Sequence, residues 1–308
     1  MRNVLFIGIV SLMISCSVTS NASVLERKGQ KATISLDEFK KVKSKLEFQK
    51  ITAADWEVDR AGLIDLSDPK SKAAGLSDET LEPIQIYFYT IDHPTAGKFI
   101  IDTGLADLFK KDPSEWPISS LVASAMNTDK LTIKVTLGEW LKKQNKPING
   151  AFLTHMHMDH IMGTSDLSDE VPIYTGPNEP TAKNFLNLFV KGTTDNLLGE
   201  NKILRQLEFS EVNTEFGLAT LDLFEDGSFL VFHSPGHTPG SLAFLIKAKD
   251  GIHLVLGDTS HTKFGWEQNV TPGSFTSDRE ENRRSLNALQ DLAKKIPGIQ
   301  VHPGHQSL

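Results

Sequence analysis

The densest chemistry in the chain lies in Thr154-His155-Met156-His157-Met158-Asp159-His160, where four side chains able to bind a metal fall within six residues. His155 and His157 are two apart, so an extended or looped backbone turns both to one side. Asp159 and His160 follow at once, on a turn that can aim them at a second position. Imidazole and carboxylate suit zinc and its neighbours, and a histidine-rich tract of this kind reads as metal-binding.

The remaining histidines extend this pattern. Of the 10 in the chain, His233, His237, His261, His302 and His305 all lie in polar turns that follow apolar runs. His237 stands in Ser234-Pro235-Gly236-His237-Thr238-Pro239-Gly240, and His305 closes His302-Pro303-Gly304-His305. In both, a Pro-Gly pair precedes the histidine, and the glycine allows a tight backbone at a strand end. Asp258 follows Leu254-Val255-Leu256-Gly257, so it leaves an apolar strand into a turn.

This ordered set resembles the metallo-β-lactamase superfamily from about residue 84 to 305: His-x-His-x-Asp-His, then Gly-His, Gly-Asp and a final Gly-His. Asp102, in Ile101-Asp102-Thr103-Gly104, matches the early aspartate of that family. The resemblance implies an α/β fold, the four-layer αβ/βα sandwich, and two divalent metal ions with zinc as the default. It implies one ion on His155, His157 and His237, the other on Asp159, His160 and His305, and Asp258 between them. Asp102 would fix a ligand through hydrogen bonds, and His233 and His302 would be neighbours of the ligands.

The same resemblance implies a hydrolase in which a hydroxide shared by the two cations is the nucleophile. Asp159 would orient it and pass a proton to the leaving group. No Gly-x-Ser-x-Gly elbow offers a serine nucleophile instead. The Asp258 and His305 pattern is similar to lactonase, glyoxalase II and phosphodiesterase sites, and the Pro-Gly-His runs most resemble the N-acyl-homoserine lactonase-like branch. Those lactonases carry a tyrosine three residues after the bridging aspartate, where this chain has His261; a histidine there could donate a similar hydrogen bond to the substrate carbonyl. The expected activity is hydrolysis of an ester or lactone. A β-lactam, thioester or phosphodiester cleaved on the same site stands as the alternative, and an idle metal-binding protein as a reading of another class.

Several elements must position these residues. Ser35-Leu36-Asp37-Glu38 predicts a capping box opening a helix that carries Leu36, Phe39, Val42 and Leu46. Residues 51–83 read as loops and short strands, Ile84–Ile91 as a strand, and Lys98–Asp102 as its partner across a turn at Pro94–Gly97. Residues 105–135 read as an inserted lid or loop region with a helix at Leu121–Met126. Helices are expected over Leu137–Lys146 and Thr181–Val190, and a short strand over Ala151–Thr154 delivers His155. Strands near Ala219–Phe224, Ser228–Phe232, Ser241–Lys247 and Ile252–Leu256 follow, with a hairpin turn at Asp226-Gly227. Ser277 and Glu280 are expected to cap a last helix carrying Leu286, Leu289, Leu292 and Ile296, before a strand near Ile299–Val301.

A chain of 308 residues, 39% hydrophobic and 23% charged, is long enough for a large core. Its net charge of −7 argues against nucleic acid, leaving a small molecule as the expected partner; oligomeric state is left open. Arg2 and the apolar Val4–Ile14 form an export signal too short to persist as a membrane span. Ser20-Asn21-Ala22 would end a signal peptide of residues 1–22, and Met13-Ile14-Ser15-Cys16 would end a lipoprotein signal before a lipid-anchored Cys16. Either makes the protein periplasmic or an outer-membrane lipoprotein, with residues 23–308 as a single domain. Cys16 is the only cysteine, so the mature domain has no disulfide and its ligands must be histidine and carboxylate.

Overall fold

Period-two alternation of apolar residues builds the protein from two sheets. The computed structural model describes residues 16–199 and 202–308, so Arg2, Val4–Ile14 and Met13–Ser15 lie outside the described residues. The strands are β1 (Ala22–Glu26), β2 (Gln30–Lys31), β3 (Glu47–Asp59), β4 (Leu81–His93), β5 (Gly97–Ile101), β6 (Thr132–Ile133), β7 (Ile148–Phe152) and β8 (Ile173–Thr175), followed by β9 (Ile203–Leu207), β10 (Val212–Asn213), β11 (Leu218–Asp222), β12 (Phe229–His233), β13 (Leu242–Ala248), β14 (Gly251–Val255) and β15 (Gln300–His302). The first sheet runs β1-β9-β8-β7-β5-β4-β3-β6, and the second β10-β11-β12-β13-β14-β15 with β2 also on β11. Strands β1, β9, β8, β7 and β5 pair in parallel, as do β14 and β15; the other pairs are antiparallel.

Helices cover both outer faces: α1 (Leu36–Lys41), α2 (Arg60–Leu63), α3 (Pro69–Ala73), α4 (Ser120–Ala125), α5 (Leu137–Leu141), α6 (Met158–Ile161), α7 (Asn187–Leu198), α8 (Lys263–Gln268) and α9 (Arg279–Lys294). Between the sheets, Tyr87, Tyr89 and Ile91 of β4 meet Phe229 and Val231 of β12 and Phe244 of β13. The alternate residues turn outward: Ile84, Ile86 and Phe88 pack with Ile161 of α6, while Leu230 and Phe232 pack with Leu289 and Leu292 of α9. The result is the expected four-layer sandwich.

Four expectations are corrected. Residues 51–83 are not mainly loops, because β3 is a 13-residue strand paired along β4. A bulge between Thr52 and Ala54 buries Ala53 and Ala54 in succession and breaks the alternation that would have announced it. The first helix ends at Lys41, and Leu46 joins the core between the sheets. The helix expected over Thr181–Val190 begins only at Asn187; Phe185, Leu186, Leu188, Phe189 and Val190 face outward, and the buried stripe is Asn187, Thr193, Thr194, Leu197 and Leu198. The last helix is capped one residue later than expected, by Asp278 accepting from the Glu281 amide. Residues 105–135 hold α4, short 3₁₀ turns and β6, which closes the sheet beside β3.

Residues 16–21 are built into the fold along α7. The Asn187 side chain donates to the Cys16 carbonyl (2.8 Å), Lys191 donates to Ser17 (3.2 Å), and the Thr19 hydroxyl donates to Asp195. The Ser20 amide also donates to Asp195 (2.7 Å), and the Asn21 amide group donates to the Gly199 carbonyl (3.2 Å).

Phe152 tests the packing between the sheets, since its buried ring lies 5.0 to 6.1 Å from those of Tyr174, Phe229, Phe99 and Phe244. Phe152→Ala is expected to cost about 3–5 kcal/mol. In a thermal melt this reads as a fall of roughly 10 °C.

Candidate metal centre

Every candidate ligand leaves the end of a strand at one rim of the sandwich. His155, His157, Asp159 and His160 follow β7, His237 follows β12, Asp258 follows β14, and His305 follows β15. Asp102 follows β5 and holds φ at 55°, a left-handed conformation that aspartate tolerates better than most residues. Gly304 is required by close approach: a Cβ there would lie 2.0 Å from Asp258 Oδ1. At Gly236 (φ 129°), a Cβ would meet the Asn282 amide nitrogen at 2.1 Å.

The structure brings these residues together in two groups sharing Asp258: His155, His157 and His237 in one, Asp159, His160 and His305 in the other. Within each group, ligand atoms lie within 4.8 Å of one another. In the first, His237 Nε2 is 3.1 Å from His155 Nε2 and 2.8 Å from His157 Nδ1. In the second, His305 Nε2 is 3.1 Å from Asp159 Oδ2. Asp258 Oδ2 faces both, 3.6 Å and 3.5 Å from the His155 and His237 Nε2 atoms and 3.3 Å from those of His160 and His305.

The outward nitrogens explain why the inward ones are free. His305 Nδ1 donates to the Gln85 carbonyl (3.0 Å) and His160 Nδ1 to Asp102 Oδ2 (2.8 Å). The Thr154 hydroxyl donates to Asp102 (2.9 Å) and stands 3.1 Å from His155 Nδ1, where it can accept. His237 Nδ1 is 3.1 Å from the Thr276 hydroxyl. With Nδ1 protonated, each of these rings turns a bare Nε2 inward. Buried His160 Nε2 and Asp258 Oδ1 have no hydrogen-bond partner among the described residues. Lone pairs converging in a buried space repel unless a cation lies among them, so the donor set fits two metal ions.

The electrostatics divide the same way. Burial drives His155 and His237 well below the ordinary imidazole range and His157 to about 4, which keeps that trio neutral with lone pairs available. Burial also opposes charge on His305, but Asp258 and Asp159 outweigh it and lift the ring to about 10. The second group therefore asks for positive charge, which a metal ion supplies in place of protons.

His261 occupies an unexpected posture. Its Nδ1 donates to the Leu63 carbonyl (3.1 Å), and its Nε2 lies 3.0 Å from Asp258 Oδ2. A neutral ring so held has no second N–H for a substrate carbonyl; only the doubly protonated ring can donate from Nε2. His233 and His302 stand outside the cluster: His233 bonds the Pro239 carbonyl (2.9 Å), and His302 pairs with His253 (3.1 Å).

Sequence reasoning missed Glu179, which lies in the turn after β8 and is buried. Its carboxylate accepts from the Met156 amide (2.8 Å), between His155 and His157, and from the Gly240 amide (3.0 Å), in the loop that carries His237. It thus ties two ligand loops together. Its only sequence signal is a carboxylate in a strand-end turn, which is common.

Residues 81–305 match the family profile described as "Metallo-beta-lactamase superfamily". The N-acyl homoserine lactonase AttM of Azorhizobium caulinodans is 25% identical over 229 residues, covering 72% of this chain and 82% of its own. An AiiA mutant of B. thuringiensis, solved with N-decanoyl-L-homoserine at its active site, superposes with a TM-score of 0.59 at 18% identity, covering 85% of this chain and 93% of its own. AidC, described as a dizinc quorum-quenching lactonase, superposes with a TM-score of 0.52 at 14% identity, covering 91% and 92%.

Two measurements check the centre. Elemental analysis should find about two metal ions per chain, and chelation should lower the melting temperature, with recovery on adding zinc; at a thousandfold excess over Kd the linkage is about 4 kcal/mol. Glu179→Gln places an amide donor against backbone donors, at a cost of about 1–3 kcal/mol. It should lower metal affinity measured by competition with a chromophoric chelator, whereas retained affinity would show that the two loops hold themselves.

Proposed function

Because the chain belongs to the metallo-β-lactamase superfamily and is a metal-dependent hydrolase, we propose that its substrate is an ester, with a lactone of the N-acyl-homoserine type the first candidate. The observation that carries this reading is the likeness to AttM over 72% of the chain, together with Asp258 set between two His-rich groups. Bound there, two cations, zinc by default, would lower the pKa of a shared water from about 16 toward neutrality and polarise a carbonyl oxygen.

The chain's own residues then orient and move protons. Burial pushes the Asp159 carboxyl up, but His160 and His305 outweigh it and bring it to about 2. Asp159 therefore stays anionic, can accept a hydrogen bond from the attacking water, and holds a proton only long enough to pass it to the leaving alkoxide. Asp102 and Gln85 fix the tautomers of His160 and His305. In its doubly protonated form His261 would donate from Nε2 toward a developing oxyanion beside Asp258. The apolar segment after Arg2 supports export to the periplasm or, through Cys16, to the outer membrane as a lipoprotein.

Metal-loaded protein should be assayed against acyl-homoserine lactones, aryl esters, a thioester, a phosphodiester and nitrocefin. Turnover of lactone or ester is expected, and Asp159→Asn should lower kcat by about 10²–10⁴-fold. If neither lactone nor ester is cleaved, the ester reading is wrong; the other substrates then identify the bond, or show an idle site.

A further inference from the structure

The start of α7 exposes apolar surface that the hydrolytic centre does not use. Phe185 is 61% exposed, Leu186 60% and Phe189 51%, with Leu188 and Val190 also open to solvent. The two phenylalanine rings stack edge to face at 5.6 Å. Neighbouring α4, joined to α7 through the Ser119 amide and Thr193 hydroxyl (3.3 Å), exposes Leu121 as well. A contiguous face of this kind marks a surface that meets something apolar.

The path of the amino-terminal segment says what that is. Asn187, Lys191, Asp195 and Gly199 recur every fourth residue and form one stripe along α7. Residues 16–21 lie on that stripe, with Cys16 at Asn187, Ser17 at Lys191, Thr19 and Ser20 at Asp195, and Asn21 at Gly199. The Asn184 amide also donates to the Cys16 carbonyl (3.2 Å). The strap thus fixes Cys16 at the end of α7 where Phe185, Leu186 and Phe189 are exposed. In the sequence, Cys16 is preceded by Val-Leu-Phe-Ile-Gly-Ile-Val-Ser-Leu-Met-Ile at positions 4–14.

We propose that the apolar face of Phe185, Leu186, Phe189 and Val190 is a bilayer-contact surface, on which the protein lies beside a lipid anchor carried by Cys16. An anchor and an interfacial helix leave water together, and two such signals give stable attachment where one is marginal. Exposed Lys183, next to the face, suits anionic headgroups. The strap also favours processing before Cys16, since cleavage after Ala22 would strip partners from Asn187, Lys191 and Asp195.

The test uses the full chain expressed in a bacterial host, matured there, and reconstituted on phosphatidylethanolamine–phosphatidylglycerol vesicles. Phe189→Trp sits at an exposed position, and its folding is checked by metal content. On vesicles with brominated acyl chains, most of the emission added by that tryptophan should be lost, beyond any loss in the unsubstituted protein. No added quenching overturns the proposal. So does a tryptophan already shielded without lipid and indifferent to bromination, which would place another part of the protein over the face. A dimer abolished by Phe185→Ser/Leu186→Ser/Phe189→Ser would assign the face to a second copy. A raised KM in that variant for a soluble long-chain ester, with quenching absent, would assign it to substrate. A mature chain beginning at Ser23 would lack the strap and overturn the proposal outright. The quenching, dimer and amino-terminal readouts do not depend on which bond the metal centre cleaves; only the KM comparison rests on the ester reading.

Discussion

The structure turns on a single oxygen. Asp258 Oδ2 has five imidazole nitrogens, from His155, His160, His237, His261 and His305, within 3.0 to 3.6 Å. Each ring is oriented from behind by a hydroxyl, a carbonyl or Asp102, so that a lone pair points inward, and a buried carboxylate so surrounded is tenable only with cations among those lone pairs. The strands β7, β12, β14 and β15 come from both sheets, and at their shared rim loops from the two meet. The centre is therefore a consequence of how the sandwich closes, and each layer of core beneath it helps set the ligand distances.

Much of this was legible in the sequence because each ligand stands where an apolar run gives way to a Gly-containing turn. His237 and His305 after Pro-Gly, and Asp258 after Gly257, announce strand ends, and strand ends are what the fold gathers. The sequence could not show His261's posture, since that depends on the carbonyl of Leu63, almost 200 residues away in the chain. Glu179 was hidden for a related reason: its partners are backbone amides, which leave no trace in residue type. The long β3 was hidden by its bulge, and the start of α7 by an apolar run that faces away from the core.

Glu179 shows how far beyond the ligands the centre extends. It accepts from amides in the His155–His157 segment and in the loop carrying His237, so those two stretches cannot shift independently. Burial raises its carboxyl above the usual range, while the Thr238 hydroxyl and the two amides oppose that rise. The first histidine trio is thus held by polar contacts on both flanks, from Glu179 on one and Thr154 on the other.

The strand that continues the amino-terminal strap has a separate consequence. Ala22–Glu26 adds to β9 in parallel and forms the outermost rung of the larger sheet. Without it, β9 would present a row of open amides and carbonyls beside the exposed side chain of Ile203, the kind of edge onto which a stray strand from another molecule can add. Ala22–Glu26 therefore covers the β9 edge, and the outward row of amides and carbonyls that closes the larger sheet is its own.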